Sequence, residues 1–204
     1  MKKLKVYHFI ILITLFTGCE KVITPIEQEL NINNFPSGIG SYWVYEVTDS
    51  VKNIFDILRV SVPGEITLDD NKKLKIWEYK YSTHVESLYV SIDADTLLFY
   101  VKVNSVYLEK TKILFPLTIG KTWDTDVGEA VVYSNEFIKV PAFYANTFNV
   151  TIYPTHFINS AGDDKYFITP NLGIVKYIGS MWTTLSPDSY HYTVWELKDY
   201  HIAK

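Results

Sequence analysis

Apolar and polar residues alternate with a period of two along most of this 204-residue chain. At the start of the first such run, Trp43, Tyr45 and Val47 share one face of a strand. The same alternation recurs at 54–62, 74–82, 88–92 and 97–103, in segments rich in β-branched and aromatic residues. No segment after residue 18 shows the 3.6-residue apolar stripe of a helix. The pattern predicts an all-β domain of about ten or eleven strands.

Short connectors separate these runs and are rich in Asp, Asn and Ser. They lie at 69–72, 93–95, 104–105, 162–164 and 187–189. Asp and Asn make local side-chain turns and tolerate left-handed backbone, so they favour hairpin positions. Connections this short pair successive strands antiparallel. We therefore expect an antiparallel meander closed as a barrel or folded as a sandwich, two closures that the pattern leaves open.

The first residues have a different pattern. Lys2, Lys3 and Lys5 precede an almost wholly apolar run from Val6 to Phe16. A basic start, a short apolar run and small residues are typical of a secretory signal peptide, and the run is shorter than the ~20 residues that span a bilayer. We predict a signal peptide, forming a helix, at 1–18, a tether at 19–34 and one all-β domain at 35–204.

The end of this segment, Leu15-Phe16-Thr17-Gly18-Cys19, holds the only cysteine of the chain. It resembles the lipobox of bacterial lipoprotein precursors, with Phe16 where leucine is usual. The resemblance implies cleavage between Gly18 and Cys19, and a diacylglycerol and an acyl chain such as palmitate on Cys19. No other cofactor is expected. Glu20 departs from the aspartate that signals inner-membrane retention, so the resemblance implies a cell-envelope protein anchored in the outer membrane.

The charge of the chain excludes one class of partner. The formal net charge is -4, and a single arginine, Arg59, accompanies the lysines. Nucleic-acid recognition favours a basic surface and the bidentate guanidinium group. We expect no nucleic-acid partner.

A short motif, FPxxIGxxW, occurs at 35–43 and again at 115–123. Each copy precedes a strand-like run, and its glycine can supply the positive φ of a turn. We interpret the motif as a structural repeat marking two halves of the domain, and a paired binding surface is the alternative. The shared positions are Phe35, Pro36, Gly40 and Trp43 in the first copy, and Phe115, Pro116, Gly120 and Trp123 in the second.

The second copy and the segment 173–177 resemble motifs of uncharacterised all-β lipoproteins, namely FPLxxGxxW and a GxVKY-like sequence. That resemblance implies an all-β domain and supplies no activity.

Candidate chemistry is sparse. His84 and Glu86 could face the same side of a strand, yet a metal site needs three or four converging ligands. Asp188, Ser189 and His191 lie too close together in one turn for a catalytic triad, and the acidic turns fit hairpins as well as calcium loops. We expect no catalytic residue, no metal site and no enzyme activity.

The number of tyrosines in the chain exceeds what one buried face of a sheet needs. Trp77, Tyr79 and Tyr81 share a strand face and form a candidate aromatic binding surface. We expect a non-enzymatic binding or envelope-assembly domain, whose partner is an envelope protein. The alternatives are a lipocalin-like carrier of a small apolar ligand, which needs a large apolar cavity, and a surface glycan-binding module, which needs exposed aromatic rings.

Overall fold

The computed structural model describes residues 29–49, 54–154, 163–179 and 193–203. The signal segment 1–18, the cleavage site at Gly18 and Cys19, and the turn at 187–189 lie outside these residues.

Twelve strands and one short 3₁₀ turn, Ile32–Asn34, make up the described fold. The strands, numbered in chain order, are β1 (Tyr42–Asp49), β2 (Ile54–Thr67), β3 (Lys73–Lys80), β4 (Val85–Asp93), β5 (Thr96–Val103), β6 (Val106–Leu114), β7 (Thr122–Thr125), β8 (Gly128–Val140), β9 (Phe143–Pro154), β10 (Asp164–Thr169), β11 (Gly173–Gly179) and β12 (Thr193–His201).

All twelve strands belong to one antiparallel sheet with the order β6-β5-β4-β3-β2-β1-β12-β11-β10-β9-β8-β7. Successive strands pair except at one place, where β6 and β7 form the two edges of the sheet and approach each other. The pairing of β1 with β12 joins the first and last described strands. The sheet thus curls into a nearly closed barrel, which confirms the predicted all-β meander and decides between barrel and sandwich. The strand number is twelve because even the four-residue β7 pairs fully with β8.

The alternation of burial follows the alternation in the sequence. In β1, Trp43, Tyr45 and Val47 are buried, while their neighbours are more exposed. In β11, Gly173, Val175, Tyr177 and Gly179 are buried in the same way. One face of each strand therefore supplies the interior of the barrel.

The strands divide the barrel into two ends. We call "base" the end that carries the connections 68–72, 94–95, 115–121, 141–142 and 170–172, and "rim" the end that carries 81–84, 104–105 and 126–127. The chain enters the domain at the base, where Leu30 and Leu117 exchange backbone hydrogen bonds of 3.1 and 2.8 Å. Leu30 is fully buried in the core. The folded domain therefore begins at least five residues before the predicted boundary at Phe35, because this isolated leucine covers the end of the barrel.

Aromatic rings fill the interior in two groups. Near the base, the Trp77 ring stacks on Trp43 at 5.1 Å between ring centroids and on Phe35 at 6.1 Å. Towards the rim, Trp195 contacts Tyr177 at 4.8 Å and Tyr79 at 6.1 Å. Because Tyr79 lies on β3 and Trp195 on β12, their contact spans two intervening strands of the curled sheet. These contacts hold opposite parts of the wall together.

The two copies of the repeat adopt the same local structure. Gly40 and Gly120 have φ values of 95° and 84°, a left-handed conformation that favours glycine. The turn in each copy is closed by a 3.0 Å backbone hydrogen bond, from Ser41 to Gly38 and from Lys121 to Thr118. Each turn then pairs with the second strand of its half, β2 or β8.

The tryptophan of each copy makes a long-range hydrogen bond. Trp43 Nε1 donates to the carbonyl oxygen of Leu172 at 2.7 Å. Trp123 Nε1 donates to the carbonyl oxygen of Lys112 at 3.0 Å, which links β7 to β6 across the gap between the two sheet edges. Both tryptophans are buried. Each indole therefore connects its own half of the chain to the other half.

These bonds predict a graded loss of stability. We expect Trp43→Phe and Trp123→Phe each to lower the free energy of unfolding by about 0.5–1.5 kcal/mol more than Trp77→Phe, because only the first two lose a hydrogen bond. Trp77 is the matched control, since its buried Nε1 has no hydrogen-bond partner in the described structure. Urea unfolding of the three variants measures the difference. Equal losses would contradict the assigned role of the indole N–H groups.

Candidate functional site

The candidate aromatic binding surface, Trp77, Tyr79 and Tyr81, is not exposed to solvent as a whole. Trp77 and Tyr79 are 4% and 5% exposed and belong to the core. Tyr81 is partly buried and stacks on His84 at 4.6 Å between ring centroids. The face shared by these three residues is the inner face of β3, so Trp77 and Tyr79 pack the barrel instead of facing a partner.

The interior contains one small space between opposite walls of the barrel. Its lining includes Tyr79, Phe99, Thr111, Tyr166, Tyr177 and Trp195. The volume open to the centre of a water molecule is about 10 Å³, which is the size needed for a single water. A pocket for a small organic ligand measures about 300–1,000 Å³. This space is therefore too small for the ligand of such a carrier.

Polar groups meet beside this space. The Tyr177 hydroxyl donates to Asp164 Oδ1 at 2.8 Å. Gly179 makes room for the pair, since a Cβ built on it would lie 2.0 Å from Asp164 Oδ1 and 2.5 Å from the Tyr177 hydroxyl. Thr111 is 4% exposed, and its Oγ1 has no hydrogen-bond partner among the described residues. Tyr177 and Thr111 thus add hydroxyl groups to a space otherwise walled by rings.

Lys110 completes this polar cluster through a bulge. Tyr100 pairs with Glu109 and Phe99 pairs with Thr111, so Lys110 is the extra residue of β6. Burial lowers the pKa of the Lys110 ammonium to about 8, an effect that the negative charges of Asp164 and Glu86 oppose. Because Asp164 belongs to β10 and Glu86 to β4, the amine lies in a field set by two distant strands.

The buried tyrosines stay protonated across the neutral range. Burial raises the pKa of Tyr79 and of Tyr166 well above the ordinary value, and neighbouring tyrosines and, for Tyr166, the Asp164 carboxylate add to the effect. Tyr45, also buried, has a raised pKa, and its hydroxyl donates to the carbonyl oxygen of Ile174 at 2.7 Å. The Tyr45 hydroxyl thus acts as a neutral hydrogen-bond donor that ties β1 to β11. A nucleophile activated by a base and facing an oxyanion-binding site is not found in the described part of the chain.

Sequence reasoning missed Lys110, Asp164 and Tyr177. Strict alternation from Ile113 and Thr111, both buried, turns Lys110 towards solvent, and the bulge that changes this leaves no sign in the sequence. Asp164 precedes the buried Tyr166 by two residues, so alternation alone places its carboxylate on the inner side of β10.

The remaining candidates are local contacts. His84 Nε2 lies 3.2 Å from Glu86 Oε1, and the imidazole also contacts Thr83. No group of three or more His, Cys, Asp or Glu residues suited to a metal ion occurs in the described ranges. Asp188, Ser189 and His191 lie outside them. Among the residues described, no helix has the length and apolar character to cross a membrane.

Comparison with known proteins finds two solved structures that align with most of this chain. No protein-family model matches the sequence, and no curated protein does. A solved structure described as "a putative lipoprotein from Parabacteroides distasonis" aligns with 85% of this chain and 100% of its own, at 12% identity and a TM-score of 0.36. A second, described as "a putative exported protein with YmcC-like fold" from Bacteroides fragilis, aligns with 82% of this chain and 98% of its own, at 13% identity and a TM-score of 0.41.

Gly179→Ala tests the packing of the polar cluster. We expect it to lower the free energy of unfolding by about 1–3 kcal/mol, because the new methyl group displaces the Asp164 carboxylate from Tyr177. Gly64→Ala is the matched control, since a Cβ there meets nothing within 4 Å. Urea unfolding of both variants gives the comparison, and similar stabilities would contradict this account of Gly179.

The lowered pKa of Lys110 predicts that the stability of the protein changes with pH. The folded pKa of about 8 lies below the ordinary 10.5, so between these values the unfolded chain binds more protons than the folded chain. The free energy of unfolding of the wild type should therefore rise relative to Lys110→Met as the pH increases through this window. Effects of the tyrosines are common to both chains and cancel. Parallel pH profiles from urea unfolding would overturn the prediction.

Proposed function

We propose that this chain is a lipid-anchored protein of the bacterial cell envelope, whose barrel binds a partner instead of catalysing a reaction. The observation that carries the proposal is Leu15-Phe16-Thr17-Gly18-Cys19, which closes an apolar run and holds the sole cysteine. Lipid on Cys19 would be the anchor, because two or three acyl chains bind a membrane stably where one does not. Glu20 favours the outer membrane.

The geometry of the chain entry supports this arrangement. Ten residues separate Cys19 from Leu30, the first of the described residues that belongs to the core at the base of the barrel. A flexible segment of that length extends about 17–20 Å root-mean-square. The anchor would thus hold the base of the barrel close to the bilayer and leave the rim directed away from it.

The filled interior supports binding at the outer surface. The space inside the described barrel has room for about one water, which disfavours a carrier of apolar ligands. Tyr177 lines this space, and its hydroxyl donates to Asp164, whose charge acts on Lys110. An envelope protein or a glycan bound to the outer face is therefore the partner class that this barrel suits best.

Cys19→Ala tests the anchor. We expect the variant to stay unlipidated, to keep its signal segment and to lose the diacylglycerol mass that the wild type carries. Metabolic labelling with a fatty-acid analogue and intact-mass measurement of the membrane fraction detect both changes. Ser87→Ala, a substitution at an exposed position of β4, is the control for expression. A Cys19→Ala protein that matures and carries lipid as the wild type does would refute the proposal.

A further inference from the structure

An exposed aromatic pair lies on the β8–β9 hairpin. Phe137 is 47% exposed and Tyr144 is 61% exposed, in contrast to the buried rings of the core. Their ring centroids are 5.6 Å apart with an interplanar angle of 11°. Lys139 pairs with Tyr144 across the hairpin, and its Nζ lies 5.6 Å from the centroid of the Tyr144 ring. Two apolar rings and a cation therefore share one exposed site.

The arrangement of the pair distinguishes between binding partners. A sugar stacks on the open face of an aromatic ring. Here the Tyr144 ring is stacked on Phe137, and the Lys139 ammonium also lies over it. Both rings and the Lys139 side chain are exposed. This combination suits the boundary between lipid headgroups and acyl chains, where amphipathic rings accumulate and lysine keeps its charge in the headgroup layer.

The hairpin tip lies at the base of the barrel. β8 ends at Val140 and β9 begins at Phe143, and the Ala142 amide between them donates to the carbonyl oxygen of Leu197 at 3.0 Å. Nearby, the exposed Tyr200 packs edge-on against Phe143 at 6.1 Å between ring centroids. The tip is thus fixed to the half of β12, from Leu197 to Tyr200, that leads to the base.

The chain enters the barrel at this same end. Leu30 pairs with Leu117 in the connection that leads into β7, and β7 neighbours β8 in the sheet. The eleven Cα–Cα steps from Cys19 to Leu30 span at most about 40 Å when fully extended. A lipid on Cys19 would therefore keep the hairpin within a short distance of the bilayer. At the high effective concentration given by such a tether, a contact too weak for independent membrane binding becomes populated.

We propose that Phe137, Tyr144 and Lys139 dock on the lipid surface and hold the barrel with its base against the membrane. This inference rests on the proposed lipid anchor at Cys19. The rings enter the headgroup–acyl boundary edge first, and the ammonium pairs with lipid phosphate. The anchor supplies attachment, and the hairpin supplies orientation.

Site-directed spin labels test the contact in the lipidated full-length protein. Lipid occupies Cys19, the sole cysteine, so an introduced cysteine is the only free thiol. Ala142→Cys places a label at the exposed hairpin tip without removing the aromatic pair, and Val106→Cys, at a position 56% exposed, places one at the rim. The protein is reconstituted in vesicles of phosphatidylethanolamine and phosphatidylglycerol, and collision rates with oxygen and with a water-soluble nickel chelate are measured.

We expect the Ala142→Cys label to collide about tenfold less with the nickel chelate than the Val106→Cys label, given the exclusion of charged complexes from the bilayer. Adding Phe137→Ser and Tyr144→Ser should return the tip label to the rim value. Val85→Ser with Val103→Ser, at exposed rim positions, is the matched control and should leave the tip label shielded.

The outcomes separate this inference from the anchor itself. Equal nickel accessibility of the two labels in vesicle-bound protein would overturn the docking while the anchor stands. Shielding of the tip in whole envelopes but not in vesicles would also overturn it, and would assign the hairpin to an envelope protein or glycan. Absence of lipid on Cys19, seen by intact mass, would instead refute the proposed function.

Discussion

Filling the interior of a twelve-stranded barrel is the constraint on which this structure depends. A barrel widens roughly in proportion to its strand number, and about eight strands already enclose all that side chains readily fill. This barrel avoids a lumen by packing tryptophan, tyrosine and phenylalanine rings between opposite walls. The stack of Phe35, Trp77 and Trp43 and the group around Trp195 are the result. Many of the tyrosines in the chain therefore belong to the core.

That packing decides what remains for function. The space between Tyr79, Phe99 and Tyr166 has room for about one water, and beside it the Tyr177 hydroxyl donates to Asp164. Binding chemistry is therefore left to the outer face and the two ends. The same residue type has two roles according to position, because Tyr166 fills the core while Tyr144 stands exposed on a hairpin.

Alternation was enough to predict the sheet, its antiparallel connections and the common strand face of Trp43, Tyr45 and Val47. It could not tell whether the face carrying Trp77 and Tyr79 pointed inward or outward. A period of two shows which residues share a face, but not which of the two faces is buried. Irregularities that involve a single residue could not be predicted from the alternation either. The bulge at Lys110 and the burial of the isolated Leu30 depend on contacts with strands far along the chain. The residues before Glu29 lie outside the described fold, so lipidation of Cys19 stays a prediction from sequence.

The gap between β6 and β7 has a topological consequence. These two strands are neighbours in the chain yet unpaired in the sheet, whereas the chain ends are paired through β1 and β12. A chain opened within 115–121 and joined through its present ends would keep every described strand pair, and each of those pairs would then be local. In the natural order, by contrast, the loop from β1 to β12 must close over almost the whole domain. The two halves of the sheet therefore join only through the last strand, β12, and a chain that lacks β12 cannot complete the sheet.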